Sequence, residues 1–174
     1  MAKGSSNRFH GTRGNPQQLL DAPGSIAVIV AAAGDVTYMD SNDNFAKFIA
    51  RRRDVDANGT FDVIAHGSPT SIEITHNGSK MLIDHRVAAK LIKHSTGYHG
   101  QEIRLLLCST GKLDDGFAQN LANKLGVAVT APTSILWARP SGTHYVADDD
   151  GHGRANRRKM GTFKTFYPQR RGSR

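Results

Sequence analysis

Short apolar runs alternate along this chain with segments whose apolar positions recur at helical spacing. Ser25 to Ala33 is the first run, apolar on both faces, and it predicts a central strand covered on both sides. Phe61 to His66, Ile103 to Leu107 and Val127 to Ala131 predict three more strands. Between them, Asn44 to Arg53 puts Phe45, Phe48 and Ile49 on one helical face. Arg51, Arg52 and Arg53 would close that helix, where cations suit the dipole. Asp84 is the expected cap of a helix from His85 to His94 that buries Val87, Ala88, Leu91 and Ile92. Gly116 to Leu125 aligns Phe117, Leu121 and Leu125, with Gly126 as its C-terminal stop. Two hairpins complete the pattern. Ser71 to Ile74 and Lys80 to Ile83 flank Asn77-Gly78, and Ile135 to Ala138 and His144 to Ala147 flank Pro140-Ser141-Gly142. Asp54 to Gly59 reads as a tight turn.

Strands alternating with helices over short links predict an α/β fold: a mostly parallel central sheet flanked by helices, with a β-hairpin extension. A length of 174 residues fits one domain with a real core. Residues 1–24 are punctuated by glycine and proline and read as a flexible arm, 25–150 as the catalytic α/β domain, and 151–174 as a basic C-terminal segment. The longest apolar stretch, Ile26 to Ala33, is too short to span a bilayer, and Met1 to Gln18 carries no apolar core of a signal peptide.

The net charge of +8 is local. Residues 151–174 hold eight basic side chains and no acidic one, so the remaining 15 basic and 15 acidic residues balance. Arg157, Arg158, Lys159, Arg170 and Arg171 are the expected contacts for a polyanion, and an acidic neutralising protein would suit the same segment. A single cysteine excludes an internal disulfide and a cysteine-based zinc site. Asp54 to Gly59 matches half of a calcium loop, but its twelfth position is Ala65, so an ordinary turn is the better reading. Asp148-Asp149-Asp150-Gly151-His152 reads as a solvated loop, and no metal or other cofactor is expected.

Two of the apolar runs stop on a reactive side chain. One ends in His66-Gly67 and the other in Cys108-Ser109. On neighbouring strands of an α/β sheet, both would sit just past the C-terminal edge, where functional groups collect. A thiol becomes a nucleophile when an imidazole takes its proton, so Cys108 and His66 are the candidate catalytic pair. The N–H groups of Gly67 and Cys108 are candidates for an oxyanion hole, and Ser109-Thr110-Gly111 is expected to leave room for a substrate. Either residue alone is more often structural; the pairing is what favours chemistry.

The order strand-His-Gly, hairpin, helix, strand-Cys, helix, strand resembles the caspase-like cysteine peptidases. The matching pieces are Val63 to Gly67, Val87 to Leu91, Leu105 to Ser109 and Phe117 to Ala122. They are most similar to the self-processing protease domains of large bacterial toxins. Leu107 to Gly111, Phe117-Ala118, Val129 to Thr133 and Trp137 also resemble C-terminal effector domains of polymorphic toxins of the RHS type. The resemblance covers about residues 60–138. It implies a peptidase with Cys108 as nucleophile and His66 as proton-transfer partner, acting on a protein substrate or on itself. It also implies secretion or injection within a larger toxin, action in a target-cell cytoplasm, and activation by inositol hexakisphosphate. The family's third, orienting acid is unassigned; Asp40, Asp43 and Asp62 are the candidates. Two other classes stay open: a nuclease using the basic segment with His66 or His152, and a non-catalytic binding module. A nuclease should survive Cys108→Ala, and a binding module should depend on residues 151–174 instead.

Overall fold

The structure, a computed structural model, describes residues 1–4, 35–56 and 59–170. The strand expected at Ser25 to Ala33 and most of the expected arm lie outside those residues. The described elements run β1 (Ala2–Lys3), β2 (Asp35–Thr37), α1 (Asn44–Ile49), β3 (Thr60–Ile64), β4 (His66–Gly67), β5 (Ile72–His76) and β6 (Ser79–Ile83). They continue with α2 (His85–Lys93), β7 (Glu102–Leu106), α3 (Phe117–Leu125), β8 (Val129–Pro132), β9 (Ile135–Ala138), β10 (His144–Asp149), β11 (Ala155–Met160) and β12 (Phe163–Phe166).

The fold is mixed α/β. Among the described residues the strands form three sheets, ordered β12-β8-β7-β3-β2, β1-β9-β10-β11 and β4-β5-β6. Among them parallel pairing is limited to β2, β3, β7 and β8; β12 joins β8 antiparallel. The other two sheets are antiparallel throughout. The expectation of a mostly parallel sheet therefore overreaches. Short links such as Asn77-Gly78 can only join antiparallel strands. Both residues of that turn take left-handed backbone, φ 48° and 74°, as a two-residue hairpin requires. The basic segment is drawn into this architecture as β11 and β12, and Phe166 is buried against the body.

The five-stranded sheet carries a polar row through its apolar strands. Asp35 of β2 stands beside Asp62 of β3, Asp62 beside Arg104 of β7, Arg104 beside Thr130 of β8, and Thr130 beside Thr165 of β12. Two adjacent carboxylates on a buried face need cations, and Arg104 is one: its guanidinium donates to Asp62 at 2.7 Å. Arg52 is the other. Its Nε donates to Asp62 at 2.9 Å and its terminal nitrogens donate to Asp35 at 2.6 Å and to the Ile49 carbonyl at 3.1 Å.

This corrects the helix expected over Asn44 to Arg53, which ends at Ile49 with Ala50 as its cap. Arg52 is not a solvated last-turn cation. It turns inward because the paired carboxylates of β2 and β3 lie beneath it. Asp43 caps the other end, its Oδ1 accepting from the N–H groups of Phe45 and Ala46. α2 and α3 follow the expected pattern more closely, with Asp84 capping α2 and Gly126 closing α3. These two helices pack on each other, and α3 lies on β8 and β12.

The side chains of Arg52, Asp35 and Asp62 are each only 2% exposed. Arg52→Ala would leave Asp35 buried without the cation it now pairs with, and Asp62 with Arg104 alone. Stability should fall by about 3–5 kcal/mol, as for other buried pairs broken on one side. At this chain length that lowers the melting temperature by about 10 °C. Thermal unfolding followed by circular dichroism checks this, and a drop of only a degree or two would show that Arg52 does not hold the row.

Candidate active site

β3 and β7 pair in parallel with Ile64 beside Leu106. Two residues further along each chain stand His66 and Cys108, as the pattern of the two runs anticipates. The backbones remain adjacent there. A Cβ added to Gly67 would fall 2.9 Å from the Cys108 carbonyl oxygen and 3.0 Å from the Thr110 methyl, so only glycine permits this approach. His66 is not the last residue of β3, however. The chain bends at Ala65, and His66 enters β4, where it pairs with Glu73 of β5. The histidine thus belongs to a different sheet from the strand that leads to it.

His66 is buried, and its Nε2 lies 2.8 Å from Oδ2 of Asp43. The Phe45 ring lies nearby, 6.3 Å between centroids. One oxygen of Asp43 caps α1 and the other holds the imidazole, so the helix start fixes the ring. Burial raises the Asp43 carboxyl, but the His66 hydrogen bond and charge and the two helix N–H groups outweigh it and hold the group below its ordinary value. Of the three candidate acids, Asp43 is the one in contact. Asp40 is exposed and lines, with His66, Asp43, Glu73 and Lys80, a cleft of about 160 Å³. Asp62 does not reach His66; Arg52 and Arg104 take both its oxygens. In a straight strand Asp62 would share a face with His66, but the bend at Ala65 breaks that parity.

Cys108 has no exposed surface. Among the described residues its hydrogen-bond partners are Gly4 and Leu136. Sγ donates to the Gly4 carbonyl at 2.8 Å and accepts from the Leu136 N–H at 3.4 Å. Burial pushes the thiol up to about 12, against smaller opposing effects of the Leu136 N–H and Lys3. Gly4 follows β1, which pairs antiparallel with β9, and its N–H donates to Leu136 at 3.1 Å. A Cβ on Gly4 would fall 2.6 Å from Sγ. Nothing in the sequence signals that residues 3 and 4 meet residues 108 and 136, because the register of β1 on β9 is a tertiary fact.

Ser109 adopts left-handed backbone, φ 57°, directly after the cysteine, a conformation that costs a non-glycine residue about 1–3 kcal/mol. The bend sends the chain away from β7, with the Ser109 N–H on the Ser134 carbonyl at 2.8 Å. Ser109, Thr110 and Gly111 are all buried, so this loop is packed rather than the open space expected for a substrate. Among the described residues the Thr110 hydroxyl has no hydrogen-bond partner. Arg157, Arg158 and Lys159 are exposed on β11, Arg170 is exposed beyond β12, and Arg171 lies outside the described residues. Arg157 shares a cleft of about 390 Å³ with Arg139, His144 and Tyr145. In the acidic turn, Asp149 pairs with Lys3, and oxygens of Asp149 and Asp150 accept from backbone N–H groups. Among the described residues no cluster of His, Cys, Asp or Glu is arranged to hold a metal, and no helix is long and apolar enough to cross a membrane.

A family model described as a domain of unknown function, DUF8616, matches residues 34–146. That span holds His66, Asp43 and Cys108 but not β1 or β11. No curated protein and no solved structure matches the chain.

The depressed Asp43 carboxyl gives a pH signature. A group held below its ordinary value of 3.8 contributes stability that is fully present above that pH and is lost as pH falls toward the folded value. Asp43→Asn should therefore be less stable than the native chain at pH 6, with the gap closing below about pH 3.8. Urea unfolding at pH 6, 4 and 3 measures it; a gap that stays constant with pH would mean that the carboxylate charge contributes nothing.

Proposed function

The chain belongs to the DUF8616 family, and from its site we propose that it is a Cys-His hydrolase of caspase-like architecture, a cysteine peptidase of the effector type. The single observation that carries this reading is the meeting of His66-Gly67 with Cys108 at the C-terminal end of neighbouring parallel strands, with Asp43 on the imidazole. With its Nε2 held by Asp43, the imidazole takes the thiol proton once Sγ leaves the Gly4 carbonyl that it now donates to. The thiolate attacks the substrate carbonyl carbon, and the C–N bond breaks. The departing amine takes the proton from His66, and water then hydrolyses the thioester with the same imidazole as base. The Gly67 and Cys108 N–H groups supply the oxyanion contacts, and the Leu136 N–H, which donates to the sulfur, favours the thiolate. Asp43 holds the ring and stabilises its charged form, the part an orienting carboxylate plays in triads.

The substrate is a protein, in a target cell or the chain itself. The exposed β11 cations and the Arg139-Arg157 cleft favour a polyanion or an acidic neutralising protein as a second partner. Inositol hexakisphosphate is the probe. Its binding by calorimetry should weaken about tenfold or more in Arg139→Glu/Arg157→Glu, and equal binding by both proteins would remove that cleft from consideration.

The activity test uses an unfolded, fluorescently labelled protein substrate. It compares the native full chain with a Gly4→Val chain, whose added side chain cannot coexist with Sγ where Gly4 now sits. Cleavage should be abolished by Cys108→Ala and lowered about 10²–10⁴-fold by His66→Ala. Asp43→Asn should cost less than loss of the histidine. Cleavage of protein or nucleic acid that survives Cys108→Ala would overturn the reading in favour of a nuclease or another chemistry.

A further inference from the structure

β9 would be the edge of its sheet without β1. Residues 1–4 lie along that edge as a bound peptide would. Ala2 and Lys3 pair with Ala138 and Trp137, and the Gly4 N–H donates to Leu136. Main-chain hydrogen bonds of this kind give affinity without regard to sequence, and pockets for the side chains supply selectivity. Here each side chain meets a different constraint. Gly4 sits where no Cβ fits, because one would fall 2.6 Å from Cys108 Sγ, and its carbonyl accepts the thiol at 2.8 Å. Lys3 reaches Asp149 at 2.7 Å and its ammonium lies 5.9 Å from the Trp137 ring centroid. The Met1 sulfur accepts from the Tyr145 hydroxyl at 3.0 Å, and beside it a cleft of about 330 Å³ opens between Trp137, Tyr145, Arg154 and Arg157.

We propose that the β9 edge is the substrate cleft of the Cys108 site, that it takes an extended peptide with glycine at the thiol and a basic residue before it, and that residues 1–4 fill it in cis. The inference rests on the hydrolase reading for the role of the thiol, but the docking itself is a separate physical claim. Among the described residues this two-residue strand hydrogen-bonds in its sheet to β9 alone, a short attachment that a peptide in trans can replace. Asp149 and the steric limit at Gly4 then define the selectivity. The same occupant explains why the thiol is shut off from solvent, since the Gly4 carbonyl sits on it.

The experiment uses the full chain with Lys3→Glu, which sets two like charges against each other at Asp149 and frees the edge. Alkylation of Cys108 by iodoacetamide at pH 7.5, followed by mass spectrometry, should accelerate about tenfold or more over the native chain, as loss of a contact worth one decade requires. Acetyl-Met-Ala-Lys-Gly-amide should return the rate to the native value, while acetyl-Met-Ala-Glu-Gly-amide should not. The double variant Lys3→Glu/Asp149→Lys should restore slow alkylation, which separates release of the strand from general unfolding. Calorimetry on Lys3→Glu/Cys108→Ser should show the Lys-Gly peptide binding at least about tenfold tighter than its Glu-Gly and Lys-Val counterparts. Equal binding of the three peptides, no binding, or an alkylation rate indifferent to Lys3→Glu would overturn the proposal. Selective docking together with protein cleavage that ignores Cys108→Ala would instead leave the cleft standing and remove the hydrolase reading.

Discussion

The guanidinium of Arg52, held between Asp35 and Asp62, is the interaction on which the rest of the structure depends. The two carboxylates are neighbours across β2 and β3, and neither can stay ionised in the interior without a cation beside it. Arg104 supplies one from within the sheet, and Arg52 supplies the other from the end of α1. A slip of one residue between β2, β3 and β7 would move every side chain of the slipped strand to the opposite face and unpair this row. The charges therefore fix the register that brings the ends of β3 and β7 level. They also tether α1. Because Arg52 hydrogen-bonds to the helix's own last carbonyl as well as to the sheet, the helix is clamped at its C-terminal end. Its other end is Asp43, which holds His66. One buried ionic cluster thus governs both the strand ends that carry the candidate pair and the helix that orients the imidazole.

The thiol sits in an environment with two opposed tendencies. A backbone N–H aimed at sulfur favours the thiolate, while full burial favours the thiol. Burial dominates in the structure as it stands, which pushes the group up to about 12. The Gly4 carbonyl that accepts from the thiol belongs to a strand of two residues, whereas the Leu136 N–H belongs to β9, paired on its other side with β10. Withdrawing the weak partner leaves the N–H in place and admits water. Under the proposed docking, the balance at sulfur would be set by whichever chain occupies the edge.

Local pattern carried much of this fold. The caps of α2 and α3, the Asn77-Gly78 turn and the second hairpin follow from residue chemistry within a few positions, and they stand where the sequence places them. What local pattern missed has a common physical origin. The arginine triplet after α1 looks like a solvated helix end because the carboxylates that draw Arg52 inward lie on other strands. Asp62 shares parity with His66 only if the strand stays straight, and the bend at Ala65 transfers the histidine to another sheet. Of the candidate site, the adjacent strand ends carrying His66 and Cys108 were legible from the two run endings, and Asp43, which contacts His66, was one of three acids named. Lys3 and Gly4 were not, since an edge strand of two residues has no periodicity to read.

The two bends, at Ala65 and at Ser109, are where the sheet gives up regular pairing, and both fall at the candidate site. At Ala65 the chain leaves β3 for the antiparallel β4-β5-β6 sheet; at Ser109 it turns through a left-handed residue toward Ser134, just before β9. Each departure forfeits ladder hydrogen bonds with the parallel sheet, and the second adds the strain of a positive φ. What the two have in common is that they separate the five-stranded sheet from the edges beside it. A straight continuation at Ala65 would keep His66 within β3 instead of in the β4–β5 pair. The irregular backbone therefore falls at the proposed site, and it is held there by groups that regular structure on either side has already fixed.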